Sequence, residues 1–301
     1  MDDHDYVPWK EVSNMLNSEG ITMAEKYIRF AIDEISFPAK LFKCKTKQNR
    51  NFCIIPSIRK HGNRIFVKKD DVRKYIENLK QMRVELTYKD VQEIVKKYQL
   101  VLKRPRKRAM RGQRNFTGKI EDEIRGKLGE IGIARFCNSV GGIQFVVDFS
   151  LLEKGKLRDE GDFIEVITHG EKHSLSNDLK IAVKSTAGYF AIALPENEWE
   201  WPGNIYISVR LHIEESFLFK LINKGLDLEN FELNQQIGWL EIFGYITKSE
   251  MEQISFQGTR LPGKYHASNE DWSKTNYIMH PMQLYRTRDE FRELMKKYVH
   301  K

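Results

Sequence analysis

The chain has 301 residues, 50 Lys+Arg against 42 Asp+Glu for a formal charge of +8, and 41% hydrophobic residues, enough for two or three domains with packed cores. No apolar run approaches the roughly 18 residues of a membrane span and no signal peptide opens the sequence. No membrane partner is therefore expected, and the prokaryotic cytosol is the expected compartment. Cys44, Cys53 and Cys137 are odd in number and lack paired metal-ligand spacing, so reduced thiols are expected, with Cys137 buried at a helix end. The histidines form no spaced cluster, and there is no Gly-rich phosphate loop, no Gly-x-Ser-x-Gly elbow and no internal repeat.

In chain order, Pro8 to Leu16 reads as a first helix, with proline in its first turn and Trp9, Val12 and Leu16 at helical spacing. Thr22-Met23-Ala24-Glu25 is a capping box that opens a second helix from Ala24 to Ile35. His61-Gly62-Asn63 reads as a turn, followed by a short strand and an Asp-capped helix with Val72, Tyr75 and Ile76 inward. Two helices parted by Ser18-Glu19-Gly20 suggest helix-turn-helix. Residues 6 to 80 resemble the winged-helix domains of the excisionase and MerR type. That resemblance implies that the second helix enters the major groove, offering Lys26, Arg29 and Asp33 to base edges, and that Arg64 and Lys68 of the wing touch the DNA backbone. The insertion from Lys40 to Ser57 departs from the family pattern. A small helical domain for protein contacts is the alternative.

A capped helix is expected from about Tyr88 to Leu102. It runs into Lys103 to Arg114, seven basic residues in twelve, read as an interdomain linker that orders against phosphates through Arg104, Arg106, Lys107, Arg108 and Arg111. A solvated charge run and a nuclear-localisation signal are its alternatives. Residues 1 to 118 hold 27 Lys+Arg against 14 Asp+Glu, a balance of +13 that leaves −5 for the remainder of a +8 chain. Positive field is thus concentrated in the front third, as a phosphate-binding module requires.

Behind it, Ile120 to Phe136 carries apolar residues at 120, 124, 128, 131 and 134, the spacing of a buried helical face, with Glu123, Lys127 and Glu130 on an adjacent stripe. Strands follow at 143–149, 161–167, 180–187, Asn204–Ile213 and Gly238–Thr247. Glu214 to Leu226 is the best candidate for a second core helix, Gly258 to Thr275 for a surface loop, and Thr287 to Tyr298 for a terminal helix. On the strand through 180–186, Lys180, Ala182 and Lys184 share one face while Ile181 and Val183 take the other. Asp162 is expected to share its face with Ile164 and Val166, leaving Glu165 on the other side. Asp178 has the right parity but lies roughly 13 Å from position 182 along a strand.

Gly161-Asp162-Phe163 followed by Ala182-Val183-Lys184 resembles the motif of the PD-(D/E)XK nuclease superfamily, with alanine where its second acid belongs. The resemblance covers about 119 to 301. It implies a mixed α/β fold with a restriction-endonuclease-like sheet flanked by helices, preceded here by the mainly helical winged-helix domain. The expected organisation is residues 1–82 for that domain, 83–118 for a helix and basic linker, and 119–301 for the nuclease domain. It also implies Mg²⁺, with Mn²⁺ as a substitute, held by Asp162, by Glu130 from the helix and by the Val183 carbonyl. Lys184 would position the attacking water, with Ser185 and Thr186 on the phosphate next to the cleaved bond. Such carboxylates fix metal ions that activate water and neutralise charge on the phosphorane. If Glu130 is not a ligand, it is a solvated helix acid.

Ala182 is natural and disabling, natural with compensation by another ligand, or engineered to trap an intact substrate. The last is preferred here, because a natural loss of catalysis leaves no reason to keep Asp162 and Lys184. The expected activity is Mg²⁺-dependent cleavage of double-stranded DNA, most naturally as a homodimeric type II-like restriction endonuclease, inactive in this form through Ala182. The alternatives are a non-catalytic reader of sequence or modified bases on a nuclease scaffold, and a repair or mobile-element nuclease acting on branched or single-stranded DNA.

Overall fold

The computed structural model describes residues 5–21, 59–61, 64–97, 116–149, 162–175, 180–186, 192–195, 204–223, 232–250, 276–279 and 286–299. The chain is mixed α/β. At the front, strand β1 (Tyr6–Pro8) leads into helix α1 (Trp9–Ser18), and a hairpin of β2 (Arg59–His61) and β3 (Arg64–Lys68) leads into α2 (Lys69–Gln81). The three strands form one antiparallel sheet in the order β1-β3-β2. Val12, Leu16, Val72, Tyr75, Ile76 and Leu79 are buried, as the helical spacing requires, over the paired strand residues Val7 and Val67. Two local expectations change. Pro8 is the N-cap of α1 and also pairs with Phe66, and the N-cap of α2 is Lys68, with no side-chain cap bond, so that Asp70 and Asp71 sit in the first turn instead. The expected second helix with Lys26, Arg29 and Asp33, the insertion at 40–57 with Cys44 and Cys53, the basic stretch with Arg104, Arg106, Lys107, Arg108 and Arg111, and the loop at 258–275 lie outside the described residues.

Residues 83–118, expected as helix and basic linker, begin with a strand. β4 (Arg83–Thr87) follows α2 after Met82 alone, and α3 (Tyr88–Lys97) follows at once. β4 pairs antiparallel with β11 (Gln236–Thr247), which pairs antiparallel with β10 (Ile205–Ile213); β10 pairs parallel with β8 (Ile181–Thr186). These four make the principal sheet, in the order β4-β11-β10-β8. Asp90 accepts from the Thr87 amide at 2.8 Å, which caps the start of α3.

A 26-residue helix, α4 (Phe116–Gly141), covers one face of this sheet. Much of it is buried, through Ile120, Ile124, Leu128, Ile131, Ile133, Phe136, Cys137 and Val140, because both strands and helices pack along its length. Two glycines let it lie close to the strands. A Cβ on Gly132 would come within 2.5 Å of Leu240, and one on Gly129 within 3.3 Å of Val209 and 3.6 Å of Val183. Toward its C-terminal end packs the terminal helix α6 (Arg288–Val299), where Phe136 meets Phe291 edge-on at 5.1 Å and a Cβ on Gly141 would fall 2.6 Å from Met295. α5 (Glu215–Asn223), the candidate second core helix, also adds Phe217, Leu218 and Leu221 to the core.

A second antiparallel sheet, β5-β6-β7, is built from β5 (Gln144–Val147), β6 (Phe163–Thr168) and β7 (Glu171–Ser174). The turn between β6 and β7 has positive φ at both His169 and Gly170, the left-handed pair that a two-residue hairpin favours. β9 (Ile192–Pro195) and β12 (Asn276–Met279) form a separate antiparallel pair.

Candidate functional site

The two sheets meet at Asp162. Its amide donates to the Ile181 carbonyl at 3.1 Å, its carboxylate accepts from the Val183 amide, and its carbonyl accepts from the Asp148 amide at 3.0 Å. The start of β6 is thereby joined to the edge of β8 that β10 leaves open. Successive residues of a strand send their backbone groups to alternate edges. The Val183 amide points to Asp162, so the Val183 carbonyl leaves β8 by the same edge.

The expected parity along β8 holds. Ile181 is fully buried, and Val183 lies beneath Gly129 of α4, while Ala182 and Lys184 take the opposite face, in register with Tyr206 and Ser208 of β10. Ala182 is 9% exposed and Lys184 is half-buried. Ser185 is exposed, on the face of Val183 rather than that of Lys184, so the strand does not turn it toward Lys184 as a shared phosphate contact would need. Thr186 ends the strand opposite Arg210. Along β6 the parity expectation fails. Phe163 and Val166 are buried while Ile164 is 47% exposed, so Asp162, Ile164 and Val166 do not share a face. The cause is a bulge in β6 itself: Val146 pairs with Glu165 and Val147 with Phe163, which leaves Ile164 as the extra residue, and a bulge shifts alternation by one residue.

Glu130 is not a solvated helix acid. It is 6% exposed, and a carboxylate so buried must be paired. Lys127, one turn earlier, donates to Glu130 Oε2 at 2.6 Å and to the Asp148 carbonyl at 2.5 Å. Phe149 lies between two ammonium groups, 5.8 Å from Lys127 and 5.1 Å from Lys97 at the end of α3. Glu130, Lys127, Asp148, Asp162 and Val183 thus belong to one continuous chain of hydrogen bonds. The sequence put Lys127 on the stripe of Glu130; it held no sign of Asp148, whose main-chain oxygen is what matters.

On the face of Lys184 the sheet carries a second polar group. Glu241 is 1% exposed, 3.7 Å from the Arg83 guanidinium and 3.0 Å from His212 Nε2. His212 stacks on Trp239 at 4.9 Å, and Arg83 also reaches the Glu19 and Gly20 carbonyls at 3.4 Å. Arg83 therefore ties the end of α1 to the sheet. At the far end of the sheet, burial pulls the Arg286 guanidinium down to about 10, opposed by Glu290, and it remains a cation beside Glu250 at 2.6 Å.

The donors present do not fit Mg²⁺. A hard divalent ion takes several oxygen ligands in near-octahedral geometry. Here Asp162 accepts from Val183, one Glu130 oxygen is held by Lys127, and position 182 has no carboxylate. Among the described residues no group of three His, Cys, Asp or Glu side chains could hold a metal ion. Comparison of the chain with protein-family models, with curated proteins and with solved structures finds no match. Among the described residues no helix is long and apolar enough to cross a membrane.

Proposed function

We propose that the chain is a DNA endonuclease of the PD-(D/E)XK type, by preference a restriction endonuclease, whose active form has an acid at position 182 and which as it stands binds DNA without cutting it. The observation that carries this reading is the junction at Asp162. A carboxylate at the start of one strand bonds the edge of the next, one residue before a lysine on the face turned away from α4, and the helix that covers this junction buries a glutamate. The order α4, β5, β6, β8, β10 supports the restriction-endonuclease-like arrangement, and the β2-β3 hairpin ahead of α2 supports a winged helix at the front.

In this reading Asp162, Glu130 and the Val183 carbonyl would hold the cation once an acid stands at 182, and Lys184 would position the attacking water. Lys26, Arg29, Arg64, Lys68 and the basic stretch Arg104, Arg106, Lys107, Arg108 and Arg111 hold the duplex. Phosphate contacts of this kind fix position and salt dependence, while groove-facing side chains choose the sequence. Cutting both strands calls for two copies of the site, hence a homodimer.

The second reading, a non-catalytic DNA reader on the same scaffold, is favoured by Ala182 itself. Mg²⁺-dependent digestion of plasmid and phage DNA by the chain as given and by Ala182→Asp separates the two. Discrete fragments from the Asp form alone, lost again in Lys184→Ala with DNA binding unchanged, is the expected result. Tight binding with no cutting by either form assigns the reader, and cutting that survives Lys184→Ala removes the role given to that lysine.

A further inference from the structure

The principal sheet has two unlike faces. Leu240 lies against Gly132, and Val183 and Val209 against Gly129, so one face belongs to α4. Strand alternation turns Arg83, Glu241, Arg210 and Lys184 to the other. The register brings them side by side. Arg83 pairs with Glu241 and Glu241 with Arg210, and Arg210 stands two residues along β10 from Ser208, the partner of Lys184. Strands about 4.8 Å apart, rising about 3.3 Å per residue, put the Cα atoms of Arg210 and Lys184 roughly 8 Å apart, within reach of both long side chains. His212 and Trp239, stacked at 4.9 Å, are the next pair on this face. Lys184, Arg210, His212 and Trp239 are all half-buried.

The two edges of this face carry what a DNA-binding chain needs. At the β4 edge Arg83 reaches the Glu19 and Gly20 carbonyls at 3.4 Å, so the front module meets the sheet on this face and not on the one that α4 covers. At the β8 edge stands Lys184. β4 and β8 are the outer strands of the four, roughly 14 Å apart, or about four base pairs of duplex. A duplex that touches both edges therefore lies over β11 and β10. We infer that double-stranded DNA held by the front module crosses this face to reach Lys184, and that Arg210 grips a backbone phosphate there. This rests on the reading that the chain binds DNA, and neither on cleavage nor on a metal ion. Arg83 is engaged with Glu241, and Glu85 is exposed on the outermost strand, so Arg210 and Lys184 supply the positive charge of the interval. A planar guanidinium takes two phosphate oxygens at once, where an ammonium acts as a point charge.

The test is the fluorescence anisotropy of a labelled mixed-sequence duplex, titrated at several salt concentrations with the chain as given, with Arg210→Gln and with Arg210→Lys. Circular dichroism with a cooperative melt checks the fold of each. Losing one phosphate contact lowers the slope of log affinity against log salt by about one. Arg210→Gln should show that loss with binding weakened several-fold, while Arg210→Lys, which keeps the charge, restores the slope and part of the affinity. A second measurement leaves the chain intact: hydroxyl-radical oxidation of Trp239, read by mass spectrometry, should fall several-fold when the duplex is bound. If Arg210→Gln fails to fold, the oxidation decides. Parent-like affinity and slope in a folded Arg210→Gln chain, or oxidation of Trp239 that the duplex leaves unchanged, overturns the inference and leaves the nuclease reading standing. No binding of the duplex by the chain as given overturns both.

Discussion

Among the described residues Glu241 is the most deeply buried acid. Its carboxylate is 1% exposed, with Arg83 at one oxygen and His212 at the other. Removing one member of a buried ionic group strands the others and costs roughly 3–5 kcal/mol. Glu241→Ala should therefore lower the unfolding free energy in urea by about 3 kcal/mol or more, with Glu241→Gln between it and the parent. A loss under about 1 kcal/mol would mean that water replaces the carboxylate there. Residues of this group were not legible in the sequence. A pairing between β4 and β11 has no local pattern, whereas Ala182 and Lys184 could be placed on one face because strand parity holds over β8; the bulge at Ile164 broke the same rule for Asp162.

Among the elements, the strands that alternate were the ones legible beforehand. β8, β10 and β11 each lay a buried face over α4 and were expected within a few residues of their bounds. β4 alternates as well, with Val84 and Leu86 buried between polar neighbours, but five residues beside a basic stretch gave too short a signal. β7 is exposed at every position, so it has no apolar pattern to read and owes its place to the His169-Gly170 turn. The terminal helix α6 was read correctly and carries a pH-dependent contribution. Burial holds the Tyr298 phenol well above the ordinary tyrosine range, and burial with Glu290 does the same to Tyr245. A phenol whose native pKa is raised contributes stability in full below its unfolded value near 10, and that contribution is lost as pH climbs past it toward the native value. The unfolding free energy in urea should therefore begin to fall near pH 9, where the thiol of Cys137, pushed up to about 12 by burial, ionises first in the unfolded chain, and fall more steeply above about 10, at up to about 1.4 kcal/mol per pH unit for each such buried group. Tyr298→Phe should flatten that fall; an unchanged alkaline slope would show that Tyr298 does not contribute to it.

At the scale of the whole molecule, the expected boundary near 119 divides a single core. Val84, Leu86, Val91 and Ile94 are at most 8% exposed and pack in the same cluster as α4, β10 and β11, and Tyr88 meets Phe217 edge-on at 5.2 Å. Burying each such aliphatic side chain is worth roughly 1.5–3 kcal/mol, so four of them are comparable to the roughly 5–15 kcal/mol by which a domain is stable. A fragment of residues 119–301 should lose its cooperative urea transition, and one beginning at 81 should keep it. A cooperative transition for the shorter fragment would show that β4 and α3 are appendages.

Met82 is the only residue between α2 and β4, it is fully buried, and its carbonyl accepts from Ile242 at 3.2 Å. A tether of many residues lets two units sample a volume of relative positions, and one buried residue removes that slack. If the front of the chain reads a sequence and the rear cuts it, the interval between the two points on the duplex is set as by a ruler, in whole base pairs, and the offset of the cut would be a property of the fold rather than of how far a loop can stretch.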